Sequence, residues 1–132
     1  MTVQLSTGVR DARLDAIETA IGTRAVLKVF TGSQPANCAT ADSGTLLSTM
    51  TLPSDWMAGS SGGTKSKSGT WQQLSASGTG TPGYFRIYNS AGTTCHIQGS
   101  AAVGSGDLNC DGTFTAGQTV TVNSFSLTDA NS

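Results

Sequence analysis

The spacing of apolar residues changes character near residue 24. Before it, Leu14, Ile17 and Ile21 recur at i, i+3 and i+7, with Val9 near the edge of the same stripe. Ser6 or Thr7 can cap a helix there and Gly22 can end it, so the spacing predicts one helix finishing at Ile21. Its other face collects Arg10, Asp11, Asp15 and Glu18, with Arg13 beside them. A helix of roughly 13 residues is marginal by itself, so the apolar stripe must dock, on the rest of the chain or on a neighbouring subunit.

From Arg24 onward the period is two. Residues 25–30, 45–52, 70–75, 84–89, 93–98, 101–103, 107–111 and 119–128 read as short strands separated by Gly-, Ser- and Asn-rich turns. In the second, Leu46, Met50 and Leu52 share one face by simple alternation. Residues 89–92 form a hairpin turn in which Gly92 supplies positive φ. In the last strand Val120 and Val122 have one parity and Phe125 and Leu127 the other; if all four point inward, a bulge is required at Asn123 and Ser124. Residues 53–57 suit a short helical turn, and 58–70 an exposed loop or a hydrophilic edge hairpin. About eight short strands at this spacing predict an all-β fold, a jelly-roll-like β-sandwich preceded by one N-terminal α-helix. The division is a helical segment, 1–22, and a sandwich domain, 23–132.

Composition supports strands over helices. Of 132 residues 11% are charged and 36% apolar, while Ser, Thr and Gly make up roughly two-fifths of the chain, so hydroxyls and backbone must carry much of the surface. A net charge of −1 gives no electrostatic grip on nucleic acid. No apolar run approaches the ~20 residues that cross a bilayer, and the opening residues lack the pattern of a secretory signal. Cys38, Cys95 and Cys110 are odd in number, which favours free thiols and a reducing compartment; a Cys95–Cys110 bridge is the alternative.

The candidate chemistry is sparse. Asp107, Asn109, Asp111 and Gly112 match the opening of a calcium loop, yet its twelfth position holds Gln118, whose amide lacks the bidentate carboxylate. Strand alternation explains the same residues, with Leu108 and Cys110 inward, so no metal is expected. His96 is the only histidine, sharing a face with Thr94 and Gln98, and Glu18 the only glutamate; neither completes a triad or a Glu pair, so neither catalysis nor a cofactor is expected. Trp56, Trp71, Tyr84 and Tyr88 either form a sugar-stacking platform or fill the core.

In order along the chain, "LSTGVRDARLDAIETAIGT", "LLSTMTLPSDWM", "FRIYNSAGTTCHIQGS" and "AGQTVTVNSFSLT" resemble small virion proteins of tailed bacteriophages, in particular capsid cement or decoration proteins. The resemblance implies a homo-oligomeric structural protein on the capsid exterior, assembled in the host cytoplasm and clamping neighbouring major-capsid subunits. Its partners would be the major capsid protein and itself, as a dimer or trimer, with neither nucleic acid nor membrane. The alternative it leaves is a tail, neck or head-fibre component that binds carbohydrate or a receptor. Candidate subunit-contact residues are Arg10, Arg13, Asp15, Glu18, Trp56, Lys65 and Lys67.

Overall fold

The Ser6 hydroxyl accepts a hydrogen bond from the Val9 amide at 3.3 Å and so opens α1 (Thr7–Ile21). At the other end Gly22, at φ 92°, donates its N–H to the Glu18 carbonyl and turns the chain out of the helix. Both boundaries fall where the sequence places them. The computed structural model describes residues 3–104, 106–110 and 113–128. Leu14 and Ile21 are buried and Ile17 packs against the core, while Val9 is exposed.

Among the described residues eight strands follow: β1 (Val26–Phe30), β2 (Leu46–Thr51), β3 (Thr64–Ser66), β4 (Gln72–Gln73), β5 (Tyr84–Tyr88), β6 (Cys95–Val103), β7 (Leu108–Cys110) and β8 (Val120–Thr128). They form one curled sheet, a half-barrel, in the order β2-β1-β5-β6-β7-β8-β3, with β4 paired to β8 off that path. The curl brings β2 back towards β8, and the β4 segment spans the gap. Gln73 sits opposite Val120 of β8, and its side-chain oxygen accepts from the Ser48 hydroxyl at 2.7 Å and the Thr49 amide at 3.0 Å on β2. The amides of Ser77 and Gly78 donate to the Leu47 carbonyl beside it.

Inside the curl lies the core, centred on Leu27, Val29, Trp71, Phe85, Ile87 and Phe125. Trp71 lies 6.0 Å from Trp56 and 5.5 Å from Phe125, and Phe125 meets Phe85 edge-on at 5.4 Å.

Two bulges set which side chains enter that core. On β8, Asn109 faces Ser124 and Cys110 faces Val122, so Asn123 is the extra residue; Val122 and Phe125 both point inward, as the parity argument requires. On β2, Val29 pairs with Ser48 and Phe30 with Leu46, leaving Leu47 extra. Simple alternation fails at that point: Leu47 is fully buried, and Leu46 falls on the Phe30 face, away from Met50. Two further expectations change: residues 53–57 form a turn without a helix, and 93–98 and 101–103 merge into the single β6. β7 runs parallel to β6. A parallel pair ordinarily takes a crossover of about a dozen residues, whereas here residues 104–107 make the connection. The 58–70 stretch is the hydrophilic edge hairpin, with β3 paired to the end of β8.

Candidate functional site

The sequence assigns α1 a charged outer face, and the structure turns most of that face onto the chain's own β3 hairpin. Asp11 accepts from the Gly63 amide at 2.8 Å through its carboxylate and from the Ser60 hydroxyl at 2.8 Å through its carbonyl. The Asp15 carboxylate accepts from the Ser60 amide at 3.2 Å. Lys65, 2% exposed, places its ammonium 2.8 Å from both Asp15 and Glu18. The Arg10 guanidinium covers Gly63, whose φ of 80° strains any residue with a side chain. Lys65 bridges two carboxylates one helical turn apart, and a buried ammonium needs them both.

Of the seven expected subunit-contact residues, then, the structure withdraws Trp56 and Lys65 from contact. Trp56 is fully buried and its indole N–H donates to the Gly22 carbonyl at 2.9 Å, closing the helix end. Asp15 and Glu18 already serve an intramolecular partner, and Arg10 lies against Gly63. Arg13 stays exposed on the rim of a shallow depression of about 450 Å³, with Leu14, Ala16, Ile17, Leu127 and Thr128. Lys67 is half-buried and donates to the Gly69 carbonyl at 3.0 Å.

Electrostatics make this anchor insensitive to mid-range pH. Bonds from Lys65 and Ser60 hold the Asp15 carboxyl below its ordinary 3.8. Burial pulls the Lys65 ammonium down, but its bonds to Asp15 and Glu18 outweigh it and leave the pKa above 10.5. A depressed carboxylate contributes stability above its unfolded pKa and loses it as pH falls through the folded value. A raised ammonium contributes below its unfolded pKa and loses it as pH rises through the folded value. Helix docking is therefore expected to be flat between about pH 5 and 10 and to weaken on either side. Lys65→Met should lower the melting temperature by a few degrees, remove the alkaline flank of the pH profile and reduce the acid flank, which the Ser60 bonds to Asp15 partly keep, read by far-ultraviolet circular dichroism. The effect stays small because Asp15, whose side chain is 54% exposed, can return to water.

A second polar cluster lies on the outer side of β5 and escapes the sequence reading. There the β1–β2 connection, residues 31–45, covers the sheet. The Tyr84 hydroxyl donates to the Ser43 carbonyl at 2.6 Å and accepts from its amide, and the Tyr84 ring stacks on Phe30 at 4.9 Å. Arg86, 2% exposed, donates to the Asn37 carbonyl at 3.1 Å, the Thr40 carbonyl at 2.7 Å and the Gln98 side chain at 3.2 Å. Gln98 in turn donates to the Pro35 carbonyl at 2.8 Å, and the Lys28 ammonium sits 4.7 Å over the Tyr88 ring. Alternation correctly puts Tyr84, Arg86 and Tyr88 on one face; a connection made mostly of small and polar residues gives no sign of covering it. The four candidate sugar-stacking rings are buried: Trp56, Trp71 and Tyr84 fully, Tyr88 to 6% exposure.

The calcium-loop residues are partly occupied in a turn. Asp107 accepts from the Ser100 amide and hydroxyl, both at 3.0 Å, and donates its own N–H to that hydroxyl. Asn109 accepts from the Gly104 amide at 3.1 Å. These bonds tie Asp107 to Ser100 and Gly104 to Asn109, so that β7 can lie beside β6. Asp111 and Gly112 lie outside the described residues. Among the described residues no group of three metal-ligating side chains comes together, and no helix is long and apolar enough to cross a membrane. His96 is exposed and occupies a bulge on β6. No family model, curated protein or solved structure matches this chain.

Proposed function

We propose that this chain is a structural protein of a tailed-phage virion, a capsid cement or decoration protein. In this reading it adopts a jelly-roll-like two-layered shape, self-associates and clamps neighbouring major-capsid subunits from outside. One observation supports it beyond the resemblance. Several of the charged and polar groups that could grip a ligand instead hold the chain's own segments: Lys65 anchors the helix, Arg86 and Tyr84 the cover over β5, and Asp107 a turn. What faces outward is mostly hydroxyl, glycine and backbone, a surface suited to broad, shallow contact. A clamp of this kind gains from repetition, since every weak contact recurs across the particle lattice.

The rival, a glycan-binding tail or fibre component, loses its platform with Trp71, Tyr84 and Tyr88 buried. The test is co-sedimentation of the purified chain with capsids that lack it, beside binding to a glycan array. The proposal expects saturable pelleting with capsids and an empty array. A chain that stays in the supernatant while retaining a sugar ligand would replace the proposal with its rival.

A further inference from the structure

Cys95 and Cys38 are separated by 57 positions, and alternation alone would turn Cys95 away from the covered face of the sheet. The β6 bulge reverses this. Ile87 pairs with Ile97 and Tyr88 with Cys95, so His96 is the extra residue. Cross-strand partners share a face, and Cys95 therefore joins Tyr88, Arg86 and Gln98 beneath the 31–45 connection. That connection is fixed on both sides of Cys38. The Asn37 side chain accepts from the amides of Ala39 and Thr40, forming a tight turn, while Arg86 and Gln98 hold the carbonyls of Pro35, Asn37 and Thr40. The result sets the turn that carries Cys38 over the side of β6 that carries Cys95, with both thiols half-buried and reduced and the Cys95 thiol donating to the Ile97 carbonyl at 3.5 Å. Cys110, the alternative bridge partner for Cys95, is buried on β7.

We infer that Cys38 and Cys95 form a dithiol site that a small-molecule disulfide of the oxidised-glutathione class converts to an intrachain disulfide, locking the 31–45 connection onto the sheet. In the first step the Cys38 sulfur attacks the small disulfide, loses its proton to solvent and expels one thiolate. In the second the Cys95 sulfur attacks the mixed disulfide at Cys38, gives up its proton and expels the other. Two protein thiols are oxidised and one small disulfide is reduced to two thiols, so atoms and electrons balance. Cys38 enters first because it lies on a turn among exposed residues. Cys95 sits beneath, where burial and then the neighbouring Cys38 push its thiol up to about 12 and keep it protonated. This inference does not depend on where the protein resides.

The experiment treats the reduced full-length chain with oxidised glutathione and follows intact mass, alkylation under denaturing conditions, peptide mapping and melting. The expected product has lost two hydrogens, carries a Cys38–Cys95 linked peptide and retains a single alkylatable thiol, Cys110. Its melting temperature should rise by about 5–15 °C, since the bridge closes a long loop in the unfolded chain, and reductant should reverse the rise. Cys95→Ser should stop at a mixed disulfide on Cys38, and Cys110→Ser should behave as the parent. A linked Cys95–Cys110 peptide, glutathione on both Cys38 and Cys95 without closure, or no reaction would each overturn the inference. Should a Ser variant misfold, the peptide map of the parent chain decides alone.

Discussion

Trp71→Ala is expected to destabilise the protein by about 3–5 kcal/mol, the range for truncating a large buried aromatic. Trp71 is fully buried and touches both Trp56 and Phe125, so it joins the cap of the helix end to the interior of β8. Its carbonyl accepts from the Val122 amide and its indole N–H donates to the Ser68 carbonyl at 3.1 Å. Alanine keeps the first bond and loses the second, together with the ring. Phe125 belongs to β8, which is fixed by ladder bonds on both sides, so the space the ring leaves closes only in part. Thermal unfolding should show a drop of about 10–20 °C, a large part of the stability of a domain this size. A drop under a few degrees would mean that the core is less tightly joined through this ring than its contacts indicate.

Arg86→Met should cost about 2–4 kcal/mol by a different route, through lost bonds to a charged donor. Methionine fills much of the same volume, so the cavity penalty is small and the polar loss dominates. The Asn37 and Thr40 carbonyls belong to exposed residues and can take water in place of the guanidinium, which keeps the estimate below the sum of three separate bonds. The diagnostic effect is local: residues 31–45 should become a preferred site of limited proteolysis while the β5–β6 ladder stays protected from amide exchange. Arg86→Lys should restore little, because one ammonium cannot reach the carbonyls and Gln98 in the fork geometry of a guanidinium. An unchanged cleavage pattern would show that the connection is held by Tyr84 and Gln98 alone.

The helix was legible because every local signal agreed: a Ser cap, a three- and seven-residue apolar spacing, and a Gly stop. The β8 bulge was legible because two valines and two larger apolar residues could share the core only through an extra residue. Leu47 and Cys95 were misread for the complementary reason. Their bulges are forced by partners in β1 and β5, and one extra residue inverts every parity beyond it. Lys65 was misread because a lysine in a Gly/Ser-rich hairpin reads as solvated until a second element brings carboxylates to it. The pairing of Cys38 with Cys95 depends on both a bulge and a long connection folding back, neither of which leaves a periodic trace.

The proposed role stands or falls most directly on copy number. Under the proposed role, quantifying this chain against a major capsid protein in purified phage particles that carry it should give a fixed stoichiometry near that of the capsid lattice itself, lost together with head stability when the chain is stripped away. A handful of copies per particle, or none, would contradict a role as capsid cement.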